Sequence, residues 1–257
     1  MIHSRQNQRV KDIRRLRRCK GDHLLLEGPH LVTEAIEAGL GFDEILASPE
    51  FLSSPAGRVL EPLLPRLATE VSEELLRQLG DADSPQGVLA VARMPRGDAG
   101  ALPLHPGGTY LYLAGLQDPG NLGALARVAE ASGAAALALS PGTVHANHPR
   151  ALRASAGSLL RLPVAVEVEL EQLQARLDPL VPQWLALAPR GGEDLYRAEL
   201  SGTLVLVLGA EGPGLPEELA ERCQRRITIP LAAPVESLNA TVAAALVLFE
   251  IRRRHLK

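Results

Sequence analysis

Hydrophobic residues in the first ninety positions alternate between helical spacing and short apolar runs. Val10, Ile13 and Leu16 are spaced as one apolar stripe, which predicts an amphipathic helix over residues 5–20. Short apolar runs and helical stretches then follow each other in turn, which favours a small α/β sandwich. We predict strands at 23–28, 43–47, 68–71 and 87–92, and helices at 29–39, 56–63 and 72–79.

The second half of the chain alternates in the same way, with longer apolar runs. The run Thr203-Leu-Val-Leu-Val-Leu208 is typical of a parallel strand that is covered on both faces. Ligands of such sheets bind beyond the carboxyl ends of the strands, so we expect a site in loops 115–121, 209–215 and 230–238. We predict strands at 109–114, 135–139, 163–166, 184–188, 203–208 and 226–229, and helices at 121–132, 149–156, 169–177, 216–223 and 238–254.

Glycine and proline interrupt both patterns between the two halves. Residues 94–108 are rich in both and show no hydrophobic period, which predicts a linker. We therefore expect a smaller α/β domain over 1–95, a linker over 96–107 and a parallel-sheet α/β domain over 108–257.

Charge is distributed unevenly between the N-terminus and the rest of the chain. The formal net charge is −3, yet residues 1–20 contain eight Lys and Arg against one acid, Asp12, so the remainder carries −10. A basic arm on an acidic body indicates contact with a polyanion, although a solvated helix face is the alternative. The candidate RNA-binding residues are Arg5, Arg9, Lys11, Arg14, Arg15, Arg17 and Arg18.

Composition limits the kinds of protein and of binding site that the sequence can encode. Aromatic residues make up 3% of the chain, which argues against a base-stacking platform as the main RNA-binding device. Cys19 and Cys223 are too far apart for a zinc motif and are expected to be free thiols in a reducing cytosol. His145 and His148 offer two metal ligands without a third, so we expect no metal site. No signal peptide or membrane-spanning stretch is evident, so we expect a cytoplasmic protein.

The first candidate loop runs from Gln117 to Arg127. Asp118 and Asn121 are both plausible N-caps for the following helix. Arg127 lies within the first two turns, where a guanidinium can face an anion held near the helix N-terminus. An ordinary capped helix with a surface arginine is the alternative.

The second loop, Leu208-Gly-Ala-Glu-Gly-Pro-Gly-Leu215, follows a buried strand. Its three glycines let the backbone approach a ligand closely, but its spacing is neither a dinucleotide fingerprint nor a phosphate-binding P-loop. A plain tight turn is the alternative.

The third loop runs from Ile227 to Asn239 and leads into a long helix. Two prolines fix its path, and either Ser237 or Asn239 is placed to cap the helix. A strand–loop–helix junction without further function is the alternative.

Taken together and in this order, these loops closely resemble the three motifs of the SpoU (TrmH-like) RNA ribose methyltransferases of the SPOUT superfamily. The resemblance covers residues 108–257. The matching segments are Asp118-Pro-Gly-Asn-Leu-Gly123 with Arg127, Arg153-Ala-Ser-Ala-Gly157, Leu208 to Leu215, and Ile229-Pro-Leu with Glu236-Ser-Leu-Asn239.

Residues 4–93 more loosely resemble the substrate-binding α/β domain that often precedes this enzyme domain, a fold related to small ribosomal proteins. The matching features, besides the basic helix, are Asn7, Leu26-Glu-Gly28, Glu34-Ala35 and Ser84-Pro-Gln-Gly87.

The resemblance implies S-adenosylmethionine as methyl donor, a ribose 2′-hydroxyl of RNA as acceptor and a deep C-terminal trefoil knot. It also implies a homodimer whose active site is completed across the interface. We assign that interface to the stripe Val242, Leu246 and Phe249, with ordinary core as the alternative. The implied catalytic residues are Asn121, Arg127, Glu211, Ser237 and Asn239, with Glu211 orienting Arg127. The implied cofactor-binding residues are Leu208, Gly209, Gly214, Ile229, Leu231 and Leu238.

The sequence departs from the family pattern at two positions. Ala210 stands where the second motif usually has Asn, and Ala233 where the third usually has Gly. Ala210 removes a side-chain amide near the site, and Ala233 matters if its position needs a positive φ.

Ribosomal RNA is the favoured substrate, because the two-domain arrangement resembles that of ribosomal RNA enzymes. The alternatives are a transfer RNA methyltransferase, a non-catalytic RNA-binding protein that keeps the fold, and a small-molecule α/β enzyme with a different nucleotide ligand.

Overall fold

The computed structural model describes residues 8–16, 21–60, 68–80 and 86–256, with backbone alone for Arg9, Arg14 and Leu16. Contacts divide the chain into two compact units. The first consists of Met1–Pro95 and Asn147–Arg161, and the second consists of Arg96–Ala146 and Leu162–Lys257.

The first unit is built around a four-stranded mixed sheet in the order β1-β4-β2-β3. Strand β4 is antiparallel to both of its neighbours, and β3 is parallel to β2. Up to residue 95 the described elements are, in chain order, α1 (Gln8–Leu16), β1 (His23–Glu27), α2 (Pro29–Glu37), β2 (Gly41–Ala47), α3 (Pro49–Ser53), α4 (Pro55–Leu60), β3 (Ala68–Glu70), α5 (Glu73–Leu79) and β4 (Val88–Arg93).

The apolar stripe of α1 packs into the core of this unit. Val10 and Ile13 are buried among the side chains of β1, β2, β4 and α5, while Lys11 and Arg15 remain exposed. The predicted amphipathic helix is therefore confirmed over Gln8–Leu16, and its predicted ends over 5–7 and 17–20 lie outside the described residues. Helix α3 was not predicted; Ser48 caps it and Pro49 occupies its first turn.

The elements after residue 95 alternate strands and helices. They are β5 (Thr109–Leu113), α6 (Pro119–Ser132), β6 (Ala136–Leu139), α7 (Pro149–Ser155), α8 (Ser158–Arg161), β7 (Val164–Ala165), α9 (Leu170–Leu177), β8 (Gln183–Leu187), β9 (Glu193–Asp194), β10 (Leu204–Leu208), α10 (Glu217–Glu221), β11 (Arg225–Thr228) and α11 (Ala240–His255).

Helices α7 and α8 belong to the first unit, although their sequence lies within the predicted C-terminal domain. The Asn147 amide donates a hydrogen bond to the Gly21 carbonyl at 2.8 Å. Arg153 pairs with Glu27 of β1 at 3.3 Å, and Arg161 pairs with Glu34 of α2. Two ion pairs and one hydrogen bond thus join this segment to residues more than a hundred positions earlier.

The second unit is a seven-stranded sheet, parallel throughout, in the order β7-β6-β5-β10-β8-β11-β9. Every residue of β5, β6 and β10 is buried, as expected for strands covered on both faces. The predicted parallel-sheet α/β fold is confirmed, and the trefoil knot stays a prediction. Strand β9 was not predicted, because two residues carry no periodic signal.

Residues 96–107 pack as part of the second unit. Ala99 and Leu102 are buried in its core, and the Arg176 guanidinium donates a hydrogen bond to the Leu102 carbonyl at 3.0 Å. The two apolar residues anchor a stretch whose glycines and prolines alone indicated a linker. Within the described ranges, no helix has both the length and the apolar character needed to cross a membrane.

Candidate active site

The first loop positions Asn121 at the start of α6. The Asp118 carboxylate accepts a hydrogen bond from the Asn121 backbone N–H at 2.8 Å, and Pro119 occupies the first helical turn. Asp118 is therefore the N-cap, so the Asn121 side chain is available for other partners.

The second loop folds back on itself over Gly209 to Gly214. The Gly214 N–H donates to the Ala210 carbonyl at 3.0 Å, and Gly212 and Gly214 both have a positive φ. A Cβ on Gly209 would overlap the backbone of Gly214 and Leu215. The glycines are thus required by the shape of this loop, two for their backbone conformation and one for close approach.

The third loop ends at the N-cap of α11. The side-chain amide oxygen of Asn239 accepts hydrogen bonds from the N–H groups of Thr241 at 2.9 Å and Val242 at 3.3 Å. Asn239 therefore caps the helix, while Ser237 is exposed before it. The φ of Ala233 is not positive, so the replacement of glycine there carries no backbone cost.

The three loops meet through one hydrogen-bond network centred on Asn121. Its amide nitrogen donates to the Glu211 carboxylate at 2.6 Å, and its amide oxygen accepts from Asn239 at 3.3 Å. The Thr241 hydroxyl lies 3.4 Å from the same oxygen. One side chain from each motif is therefore fixed relative to the other two.

A cleft of about 410 Å³ lies beside this network, within the range of about 300–1,000 Å³ typical of small-molecule sites. All six predicted cofactor-binding residues line it, as do Glu211, Ser237 and Asn239. Its lining residues are Leu187, Ala188, Pro189, Leu208, Gly209, Ala210, Glu211, Gly212, Gly214, Leu215, Ile229, Leu231, Ser237, Leu238, Asn239, Ala240 and Ala243.

Sequence reasoning missed the wall that β8 contributes to this cleft. Leu187, Ala188 and Pro189 line it because β8 lies between β10 and β11 in the sheet. Arg190 follows directly and pairs with Glu236 of the third loop at 2.8 Å. No local motif marks these residues, and only the strand order places them here.

Arg127 lies on the exposed face of α6. Within the described part of the chain it forms no hydrogen bond or ion pair. Glu211 bonds to Asn121, so the expected role of Glu211 in orienting Arg127 is not what the structure shows. The physical reason is that the loop geometry directs the carboxylate to the capped start of α6, where an amide donor lies at 2.6 Å.

An apolar stripe is exposed on α11. Val242, Leu246 and Phe249 keep 49%, 39% and 47% of their surface accessible, as the predicted interface requires. Large apolar side chains at i, i+4 and i+7 form one helix face, and such a patch is typical of an interaction surface.

The predicted RNA-binding arginines of the N-terminal arm are only partly described. Lys11 and Arg15 are exposed on α1, with Arg15 at 3.8 Å from Asp12. The side chains of Arg9 and Arg14 are not described, and Arg5, Arg17 and Arg18 lie outside the described residues.

His148 and Cys223 each make a local contact in the described structure. His148 caps α7 by accepting a hydrogen bond from the Arg150 N–H. Burial raises the pKa of the Cys223 thiol to about 11, so the thiol stays protonated at neutral pH. Over 8–16, 21–60, 68–80 and 86–256, no group of three metal-ligating side chains is found. Cys19 lies outside these ranges.

Comparison with known proteins identifies the class that this fold and site define. The SpoU rRNA Methylase family matches residues 108–249, and the MRM3-like substrate binding domain matches residues 7–90. The chain therefore belongs to the SpoU rRNA methylase family.

Individual relatives match along nearly the whole chain. The 23S rRNA (guanosine(2553)-2′-O)-methyltransferase RlmP of Bacillus subtilis is 31% identical, over 98% of each chain. An uncharacterized tRNA/rRNA methyltransferase of Synechocystis is 33% identical, over 98% of this chain and 93% of the relative. The AdoMet-bound rRNA methyltransferase structure from Sinorhizobium meliloti superposes with a TM-score of 0.86 at 29% identity, over 100% and 98% of the two chains.

Proposed function

We propose that this protein transfers a methyl group from S-adenosylmethionine to a ribose 2′-hydroxyl of ribosomal RNA. The observation that carries the proposal is the Asn121 network, which joins three separate motif loops beside one cleft. Membership of the SpoU family and the names of the RlmP and RlmB relatives support ribosomal RNA as the substrate. We propose the cytoplasm as its place of action.

The residues of the cleft fit S-adenosylmethionine. Leu208, Ile229 and Leu231 give an apolar lining, and the open backbone of the glycine loop can bond a nucleoside without side chains in the way. Glu211 is the one charged residue among those that line the described cleft, and its negative charge suits a ligand that carries a sulfonium cation. When bound, the cofactor supplies an electrophilic methyl group.

The chain's own residues prepare the acceptor. A 2′-hydroxyl is a poor nucleophile at neutral pH and must lose its proton during the reaction. We assign proton acceptance to Glu211, which Asn121 holds at 2.6 Å. Asn121, Ser237 and Asn239 position the ribose so that its oxygen is aligned with the methyl group.

Arg127 has a separate task in this proposal. A guanidinium stays protonated, so it serves as a donor rather than a base. On the exposed face of α6 it can hold an RNA phosphate and stabilise the alkoxide that develops on the ribose.

We infer that two copies pair through α11. The exposed stripe of Val242, Leu246 and Phe249 supports this inference, because burial of such a face in a second copy removes apolar surface from water. Residues from α6 pack closely against α11, so Arg127 would approach the same interface.

Calorimetry with S-adenosylmethionine tests the cofactor assignment. The purified chain should bind one cofactor per protomer, and Glu211→Gln should bind it more weakly and lose methyl transfer even when saturated with cofactor. Glu218→Gln, the same change at an exposed position of α10, serves as the control and should behave as the wild type. An unchanged rate in Glu211→Gln would remove the residue from the proton-transfer step.

A further inference from the structure

A second pocket, of about 190 Å³, lies wholly within the first unit and shares no residue with the cofactor cleft. It opens between the end of β1, the first turn of α2, the end of α5 and the start of β4, and α7 adds one side chain. Its lining residues are Glu27, Gly28, His30, Leu31, Leu76, Gly80, Gln86, Val88, Leu89 and Arg153. It is smaller than the roughly 300 Å³ at which sites for whole cofactors begin, so it suits a single ring system.

The polar wall of this pocket is built from Glu27, Arg153 and Gln86. The Glu27 side chain is only 11% exposed, and its carboxylate accepts a hydrogen bond from Arg153 at 3.3 Å. A carboxylate offers about four acceptor positions, so the bond from Arg153 is compatible with further bonds from a ligand.

Two glycines allow the side chains of this wall to pack against backbone. A Cβ on Gly80 would lie 3.2 Å from the Glu27 carboxylate, and a Cβ on Gly28 would overlap the Gln86 amide. Gly28 also has a φ of +86°, which side chains rarely adopt. The backbone on one side therefore fixes the positions of the carboxylate and the amide.

The rest of the lining is apolar and aromatic. Leu31, Leu76, Val88 and Leu89 are buried core residues that form the apolar side, and His30 adds a 62%-exposed imidazole. An unstacked base of single-stranded RNA is bound in this way, stacked on a flat side chain and hydrogen-bonded along its edge. The acid disfavours a phosphate in the same space, because like charges repel strongly near a poorly solvated group.

We propose that this pocket binds an unpaired guanine base of the substrate RNA, a proposal that rests on RNA being the substrate. Guanine presents two adjacent donors, N1–H and N2–H, to which a carboxylate can accept in parallel. Arg153 and the Gln86 amide supply donors for its O6. Adenine and cytosine place a ring acceptor beside their amino group, which the Glu27 carboxylate repels.

Fluorescence anisotropy on the full chain, saturated with S-adenosylmethionine, tests base preference. The probes are labelled hexauridylates that carry one central guanosine, inosine or adenosine. A bidentate contact discriminates by about 1–3 kcal/mol, so guanosine should bind roughly tenfold tighter than adenosine. Inosine, which lacks the N2 amino group, should fall between them. Equal affinity of all three probes for the wild type would overturn the proposal.

Substitutions then test whether the preference for guanosine arises in this pocket. Glu27→Gln should bind the guanosine and adenosine probes alike, whereas Glu37→Gln, the same change on the exposed end of α2, should keep the preference. Because loss of the Arg153 pair can disturb folding, Gln86→Ala, at an exposed position, is the second variant and should weaken guanosine binding severalfold. Preference retained in both Glu27→Gln and Gln86→Ala would contradict the assignment.

Photocrosslinking separates this proposal from the proposed function. A probe carrying 6-thioguanosine should crosslink to peptides that contain residues 27–31, 76–89 or 150–153. Crosslinks confined to other peptides, together with intact methyl transfer, would refute the guanine pocket alone. Failure of the wild type to methylate RNA would instead refute the proposed function.

Discussion

The cofactor cleft and the pocket of the first unit are built by different means. The cofactor cleft is shaped by backbone: three loops follow parallel strands, Gly209 and Gly214 are packed against each other, and one charged residue lines the described cleft. The pocket of the first unit is defined by side chains, with Glu27 and Arg153 paired at its wall. The shape of the cleft therefore depends on backbone conformation, whereas the polar wall of the pocket depends on individual side chains. We therefore expect catalysis to depend on the cleft and base preference to depend on the pocket.

The largest effect should come from Arg127→Ala. Loss of one donor to a developing oxyanion costs about 100- to 1,000-fold in rate, and we expect methyl transfer to fall by at least about 100-fold. The fold should be unaffected, because Arg127 is exposed. Arg197→Ala, at an 88%-exposed arginine of the same unit, is the control for single-turnover kinetics. A wild-type rate in Arg127→Ala would show that the residue takes no part in the reaction.

The next effect should be on cofactor affinity in Gly209→Ala. The added methyl group overlaps the backbone of Gly214, and such overpacking costs about 1–3 kcal/mol. Calorimetry should show an S-adenosylmethionine Kd raised about tenfold or more, with base preference unchanged. Gly41→Ala has open space around it and should leave the Kd as it is. If both variants bind S-adenosylmethionine with the same Kd, the glycine loop does not form the cofactor site.

The substitution Phe249→Asp tests whether two copies pair through α11. A charge placed on an apolar interface should weaken dimerisation by about tenfold or more, measured by analytical ultracentrifugation. Val181→Asp changes another exposed apolar residue and should leave assembly unchanged. A monomeric wild type, or a Phe249→Asp dimer of wild-type strength, would contradict the proposed interface.

The smallest effect concerns acid stability of the second unit. Hydrogen bonds from Arg253 and Arg254 hold the pKa of Glu250 at about 2, against an ordinary value of 4.5. Because the folded-state pKa is the lower one, the stabilisation is complete above pH 4.5 and is lost as pH falls towards 2. Solvent screens the half-exposed Arg253, so we expect about 1 kcal/mol.

Urea unfolding measures this contribution. Glu250→Gln should be less stable than the wild type at pH 7 and nearly equal to it at pH 2. The Asp43 carboxylate of the first unit also has a lowered pKa, through a hydrogen bond from Arg93, but both side chains are more exposed. Asp43→Asn should therefore show a smaller difference. If the difference in free energy of unfolding between the wild type and Glu250→Gln stays constant with pH, the ion pair is not its cause.

Much of the fold and the cleft could be predicted because the signals are local. Continuous apolar runs marked the strands, and Asn121, Glu211 and Asn239 each stand at a strand–helix junction. The sequence did not decide which residue caps α6, because Asp and Asn are about equally common as N-caps and both Asp118 and Asn121 are candidates. Only the structure shows that Asp118 accepts the backbone bond.

Contacts between distant segments could not be predicted. The wall formed by Leu187 to Pro189 depends on β8 lying beside β10, and sequence does not give strand order. Arg153 reaches Glu27 from 126 positions away, in a segment whose motif belongs to the other half of the chain. Long-range pairs of this kind depend on the tertiary fold. The pocket of the first unit could therefore not be predicted from the sequence.

The most direct test of the central claim is mass spectrometry of RNA after reaction. Unmodified ribosomal RNA is incubated with the purified protein and deuterium-labelled S-adenosylmethionine, then digested to nucleosides. We expect one labelled 2′-O-methylnucleoside with the wild type and none with Asn121→Ala, which breaks the bonds to Glu211 and Asn239. Label on a base, or no label with the wild type, would contradict the claim.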